Sequence, residues 1–172
     1  MNWYVRLLVL GLFVLSCCNS PNYEKAALFL SKSNAIKREL DSLDRSTYTT
    51  YMSTFLDSEH SLYGNHSSNE YQSFISETTK SYNSLLEKLY LLQNHKSFIE
   101  TKSALHALIL FQKQGLKNYY TEILIQEKID RTLDDKYNTE YDRLQSFFFY
   151  NQIQLANKYN VHITDSTQKT LN

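Results

Sequence analysis

From Tyr23 onward the apolar residues recur at intervals of three and four, with polar residues between them. That is the period of one buried face of a helix. The clearest run is Tyr71, Ile75, Thr78, Tyr82, Leu85, Leu89 and Leu92, the seam of a helix packed nearly parallel to others. It predicts a helix over Asn69–Gln93, about 37 Å long at 1.5 Å per residue. Ahead of it, Ala26, Ala27, Leu30, Ile36, Leu40 and Leu43 predict a helix starting at Tyr23, with Lys37 and Arg38 toward its negative end. A break is expected around Asp44–Thr47, because Ser and Thr compete for backbone hydrogen bonds. A shorter piece, Thr47–Ser58, follows, and whether the two form one bent helix is left open. Glu59–Ser68 reads as a loop and Asn94–Lys96 as a turn. Ser97, with Glu100 three residues on, has the spacing of a capping box and predicts a third helix from Ser97 through Leu124. Gly115 falls inside it at a cost of about 1 kcal/mol. It shares a face with Ala104, Leu108 and Phe111, which suggests a close helix crossing. Ile125–Asp130 turns the chain, and Leu133, Tyr137, Tyr141, Leu144, Phe148, Leu155 and Tyr159 predict a last helix over Arg131–Tyr159. Val161–Ile163 is expected to lie extended against the bundle, and residues 164–172 to fray.

Three glycines and one proline in 172 residues leave little material for the turns of β or α/β folds. Long periodic segments with short connections predict an all-α domain over residues 23–163, an antiparallel four-helix bundle with room for an extra short helix.

The first twenty residues follow a different pattern. Arg6 precedes nine residues without a polar side chain, Leu7–Leu15, a run too short to cross a bilayer core as a helix. A charged start, an apolar core and a small residue before a cut describe an export signal. Val14-Leu15-Ser16-Cys17 resembles the lipobox of bacterial lipoproteins. The resemblance implies cleavage after Ser16, lipidation of Cys17 (Cys18 is the alternative) and residues 17–22 as a tether. It also implies export and anchoring in the cell envelope, at the outer membrane, with the lipid bilayer as partner. The chain has two cysteines and both stand here. Each acyl CH₂ buried contributes about 0.8 kcal/mol, so two or more chains hold firmly.

Removing residues 1–16 from 172 leaves 156, enough for one domain with a substantial core. The 18 basic residues less Arg6 leave 17 against 18 acidic ones, a net charge of −1. That balance argues against nucleic acid and against a polybasic membrane patch. With no cysteine after Cys18, disulfides do not staple the domain.

Candidate chemistry is sparse. None of Glu59, Glu77, Glu87, Glu100, Glu122 or Glu140 has a His three residues on, as di-metal carboxylate bundles require. His106 reads as a half-buried polar residue, Asp134-Asp135 as helix-start charges, and His162 and Asp165 as tail residues. Asp57, Glu59, His60 and His66 lack zinc-ligand spacing. No Gly-x-Ser-x-Gly or phosphate-binding glycine loop occurs. No catalytic residue, metal or cofactor is therefore expected. Phe147-Phe148-Phe149-Tyr150 stands out, since four consecutive residues of a helix point nearly all the way round it. One account is coverage by the first helix or the Val161 segment. The other is a contact patch of Phe147, Phe149 and Tyr150 for a protein partner or a second copy. Tyr119 and Tyr120 could extend it.

Ala104–Leu124, containing Leu116-Lys117-Asn118-Tyr119-Tyr120, and the closing Ala156-Asn157-Lys158-Tyr159-Asn160-Val161 resemble uncharacterised bacterial surface lipoproteins with a helical-bundle domain. Such families carry no assigned activity. Two readings result: a binding or structural module, or an envelope enzyme or metal-binding bundle. A bare aromatic patch on a solid core would favour the first, and a bound metal or polar pocket the second.

Overall fold

The computed structural model describes residues 20–56, 68–126 and 131–163. The expected signal, Cys17 and Cys18, the residues Asp57, Glu59, His60 and His66, and residues 164–172 lie outside them. Among the described residues there are five α-helices: α1 (Ser20–Tyr51), α2 (Ser68–Tyr90), α3 (Ile99–Lys117), α4 (Tyr119–Gln126) and α5 (Arg131–Tyr159). Four are long, and α4 is the extra short one. Cross-helix contacts fix their directions. Lys88 of α2 meets Glu39 of α1, and Tyr82 of α2 reaches Thr47, so the numbers run opposite ways. Tyr90 with His106 and Asn83 with Lys113 make α2 and α3 antiparallel. Thr101 with Asn151 and Gln112 with Tyr137 do the same for α3 and α5. Gln152 with Asn34 and Tyr141 with Asp41 close the ring between α5 and α1. The fold is an antiparallel four-helix bundle, as the periodicity predicts.

α1 begins at Ser20, three residues earlier than expected, and runs unbroken to Tyr51 before a π-turn at Met52–Leu56. The predicted break at Asp44–Thr47 is absent. The Ser46 hydroxyl donates to Leu43 O at 2.9 Å and Ser33 to Leu30 O at 3.0 Å, so these side chains bond within the helix. Thr47 is buried where it meets the Tyr82 hydroxyl, and packing overrides local propensity.

The α2–α3 connection differs in its cap. His95 Nδ1 accepts from Ser97 N at 3.2 Å, and no side chain caps α3 at Phe98, so the predicted capping box does not form. The Ser97 hydroxyl is occupied by Tyr159 at 2.9 Å and Lys158 at 3.2 Å, which tie the end of α5 to this turn. Lys102 reaches back to Leu92 O and Tyr90 O, placing a cation at the negative end of α2. Phe98 stacks on Phe29 with centroids 4.4 Å apart, joining α1 to the turn. α5 ends in a left-handed residue, Asn160 (φ 53°), with Val161 N donating to Ala156 O at 2.9 Å. This is a Schellman closure, and it folds Val161 and Ile163 onto the core.

The predicted third helix is interrupted at Asn118. The offset lets two adjacent residues of α4, Tyr119 and Tyr120, both face inward. The crossing expected at Gly115 is present. A β-carbon there would lie 2.7 Å from the Tyr137 hydroxyl and 2.8 Å from its ring. Tyr137 cannot easily retreat, because it is stacked between Phe111 and Tyr119 and donates to Gln112 Oε1 at 2.7 Å. Gly115→Ala should therefore lower stability by about 1–2 kcal/mol, overpacking outweighing the gain in helix propensity. The measurement is a lower urea midpoint at unchanged m-value. Adding Tyr137→Ala should make the alanine at 115 harmless.

Candidate functional site

Two features stand out: the aromatic run on α5 and a polar layer inside the bundle. The run divides by helical angle. Phe148 points to the core and is fully buried. Phe149 turns toward α1 and is half-buried, with Lys37 Nζ 5.6 Å from its ring centroid. Phe147 and Tyr150 face outward, 50 % and 58 % exposed, and Ile153 at 46 % continues their ridge. Phe149 thus separates from Phe147 and Tyr150, and the coverage expected of the first helix reaches one ring of the run. Tyr119 and Tyr120 do not extend the ridge: Tyr120 packs edge-on against Tyr51, and Tyr119 stacks on Tyr137.

The polar layer lies along α1. Leu30, Ser33, Lys37, Leu40, Asp44, Thr47 and Tyr51 alternate spacings of three and four, and these seven form its inward seam. Lys37, 3 % exposed, meets Asp41 Oδ1 at 2.5 Å, and the same oxygen accepts from the Tyr141 hydroxyl at 3.1 Å. Asp44 sits one turn further on. Burial, then the neighbouring Asp41 charge, push its carboxyl up to about 6, and Lys37 and Gln112 offset this only in part. The Gln112 contact is loose, since its buried Nε2 has no hydrogen bond of normal geometry among the described residues. Burial, followed by the charge of Asp44, raises the hydroxyls of Tyr120 and Tyr137 above the usual tyrosine range. Burial comes first for Tyr82 and Tyr141 as well, with Asp44 adding to it. These phenols stay neutral, and those of Tyr137 and Tyr141 donate to Gln112 Oε1 and Asp41 Oδ1. From sequence position alone Lys37 reads as a helix-end charge, and Asp44 falls at the edge of the stretch where Ser and Thr predict a break. Polar residues at seam positions of a 3–4 repeat were the signal that could have found this layer.

Elsewhere, His106 is half-buried and its Nε2 lies 3.0 Å from the Tyr90 hydroxyl. Asp134 is in the first turn of α5 and accepts from the Tyr119 hydroxyl at 2.5 Å. His162 is exposed. Among the described residues no three His, Cys, Asp or Glu side chains gather as a metal shell would require. No described helix is long and apolar enough to cross a membrane. No protein-family model, no curated protein and no solved structure matches the chain.

The two sides of α5 should respond differently to truncation. Phe148→Ala should cost about 3–5 kcal/mol by opening a cavity in the core. Phe147→Ala and Tyr150→Ala should each stay within about 0.5 kcal/mol of the parent. Urea unfolding monitored by circular dichroism separates the cases.

Proposed function

We propose that the protein is a lipid-anchored lipoprotein of the bacterial cell envelope. Its signal is cut after Ser16, Cys17 carries the acyl chains, and the bundle acts as a binding or structural module, not as an enzyme. The observation that carries this reading is the pair Cys17-Cys18 directly behind a nine-residue apolar run, in a chain with no other cysteine. On this reading the start of α1 sets the distance to the lipid. With Ser20 already helical, only Cys18 and Asn19 separate the lipid-bearing residue from the bundle. Three extended steps reach about 11 Å at most, so the domain would sit directly above the bilayer. The outer membrane is the membrane proposed.

The outward ridge of Phe147, Tyr150 and Ile153 supports a contact role, with a protein partner or a second copy as occupant. The near-neutral charge gives nucleic acid no electrostatic footprint. The competing reading, an envelope enzyme or metal-binding bundle, draws on the polar layer around Asp44. That layer brings together two carboxylates and one ammonium, with no His or Cys among the described residues beside them.

Intact mass and membrane partitioning of the native protein beside Cys17→Ala test the anchor. The native form should carry acyl mass and sediment with membranes, and the variant should lose both. Acylation persisting in the variant would move the site to Cys18. Acylation absent from both forms would overturn the lipoprotein reading.

A further inference from the structure

We infer that the end of the bundle holding the α2–α3 turn is a bilayer-contact surface, where Tyr90, Leu91 and Ile99 enter an anionic lipid interface beside a surplus of lysines. The inference rests on the proposed anchor at Cys17, because the anchor selects which part of the domain the bilayer meets.

That end is identified by its contacts. Phe29, nine residues beyond Ser20, stacks on Phe98 of the turn, and the Tyr159 hydroxyl reaches Ser97 at 2.9 Å. The start of α1, the α2–α3 turn and the end of α5 therefore lie together. Phe29 is about 14 Å along α1 from Ser20. With the tether added, the turn lies within about 25 Å of the lipid-bearing residue, and an inclined α1 lays it on the bilayer.

The turn presents apolar side chains to that surface. Leu91 is 86 % exposed, more than any other large apolar residue among those described, with Tyr90 at 62 % and Ile99 at 55 %. The three are gathered around Lys102. Its ammonium donates to Tyr90 O at 3.2 Å and Leu92 O at 3.0 Å. Ile99 stands one turn before Lys102 on α3, and His106, one turn after it, meets the Tyr90 hydroxyl at 3.0 Å. Leu91 is kept outside because Leu89 and Leu92 on either side of it fill the core. Aliphatic side chains beside a tyrosine suit the boundary between headgroups and acyl chains.

Charge distinguishes the two ends of the bundle. Residues 20–29, 90–102 and 157–163 carry Lys25, Lys96, Lys102 and Lys158 against Glu24 and Glu100. At the far end, the described residues 45–56, 68–77, 115–126 and 131–138 carry four basic side chains against five carboxylates. The chain is balanced as a whole, but anionic headgroups attract the end next to the anchor. Lysine stems can also lie along apolar surface while their ammonium groups stay among the headgroups.

Tryptophan reporters in the full chain test the inference. Cleavage after Ser16 removes Trp3, so each variant, processed and purified from membranes, carries a single tryptophan. Leu91→Trp, Ile99→Trp, Tyr150→Trp and Asn138→Trp, all at exposed positions that tolerate substitution, are reconstituted in vesicles with brominated acyl chains. In phosphatidylcholine mixed with phosphatidylglycerol, Leu91→Trp and Ile99→Trp should lose about half of their fluorescence, as side chains at interfacial depth would. The loss should be smaller in phosphatidylcholine alone, and Asn138→Trp and Tyr150→Trp should stay bright. Intact mass of each variant reads the anchor separately. Acylated protein with Leu91→Trp and Ile99→Trp quenched no more than Asn138→Trp would overturn this inference and leave the anchor standing. Quenching of Tyr150→Trp in their place, or quenching no weaker without phosphatidylglycerol, would overturn it too. Absence of acyl mass would overturn the anchor and the inference together.

Discussion

The ring of Tyr137 lies on the backbone of α3 at Gly115, where even a β-carbon would meet its hydroxyl at 2.7 Å. Much of the lower bundle depends on that approach. With the ring seated there, its hydroxyl reaches Gln112 and its faces stack on Phe111 and Tyr119. Tyr119 then donates to Asp134 at the start of α5. One missing methyl group thus sets the spacing of α3 and α5 and the position of α4. A larger residue at 115 would have to push α5 outward, because a close-packed interior has little room to yield.

Placing so many phenols in a core has an electrostatic consequence. A tyrosine buries a large apolar ring but brings a hydroxyl that must find a partner. Here the hydroxyls of Tyr51, Tyr137 and Tyr141 find theirs in the Tyr120 carbonyl, Gln112 and Asp41. Two of these partners, Gln112 and Asp41, are side chains, and Asp41 also holds the buried Lys37 of α1. The bundle core is therefore apolar around Phe29, Phe98 and Leu105, and polar-aromatic around Asp44. Charge, not packing alone, governs the second region.

The surface follows from helical angle. A run of four aromatics cannot be buried by one face of one helix, so Phe148 takes the core, Phe149 is covered by Lys37, and Phe147 and Tyr150 remain outside. That ridge and the Cys17-Cys18 pair are independent features, one of the folded domain and one of the sequence ahead of it.

By itself the sequence determined the all-helical class, the antiparallel bundle, the whole of α5 and the seam of α2 from Tyr71 to Leu89. It determined these because period and length are local properties of a helix. The close crossing at Gly115 was legible too, through its shared face with Ala104, Leu108 and Phe111. Only the tertiary structure decided that α1 passes unbroken through Asp44–Thr47, that the helix after Ser97 stops at Asn118, and that His95 caps the turn while Ser97 serves α5. In the first and last of these a residue with two possible hydrogen-bonding fates was settled by a partner distant in sequence: Thr47 by Tyr82, Ser97 by Tyr159. The same holds for Lys37 and Asp44. Their spacing put them on the seam, but their burial, and hence their chemistry, required four helices to close around them.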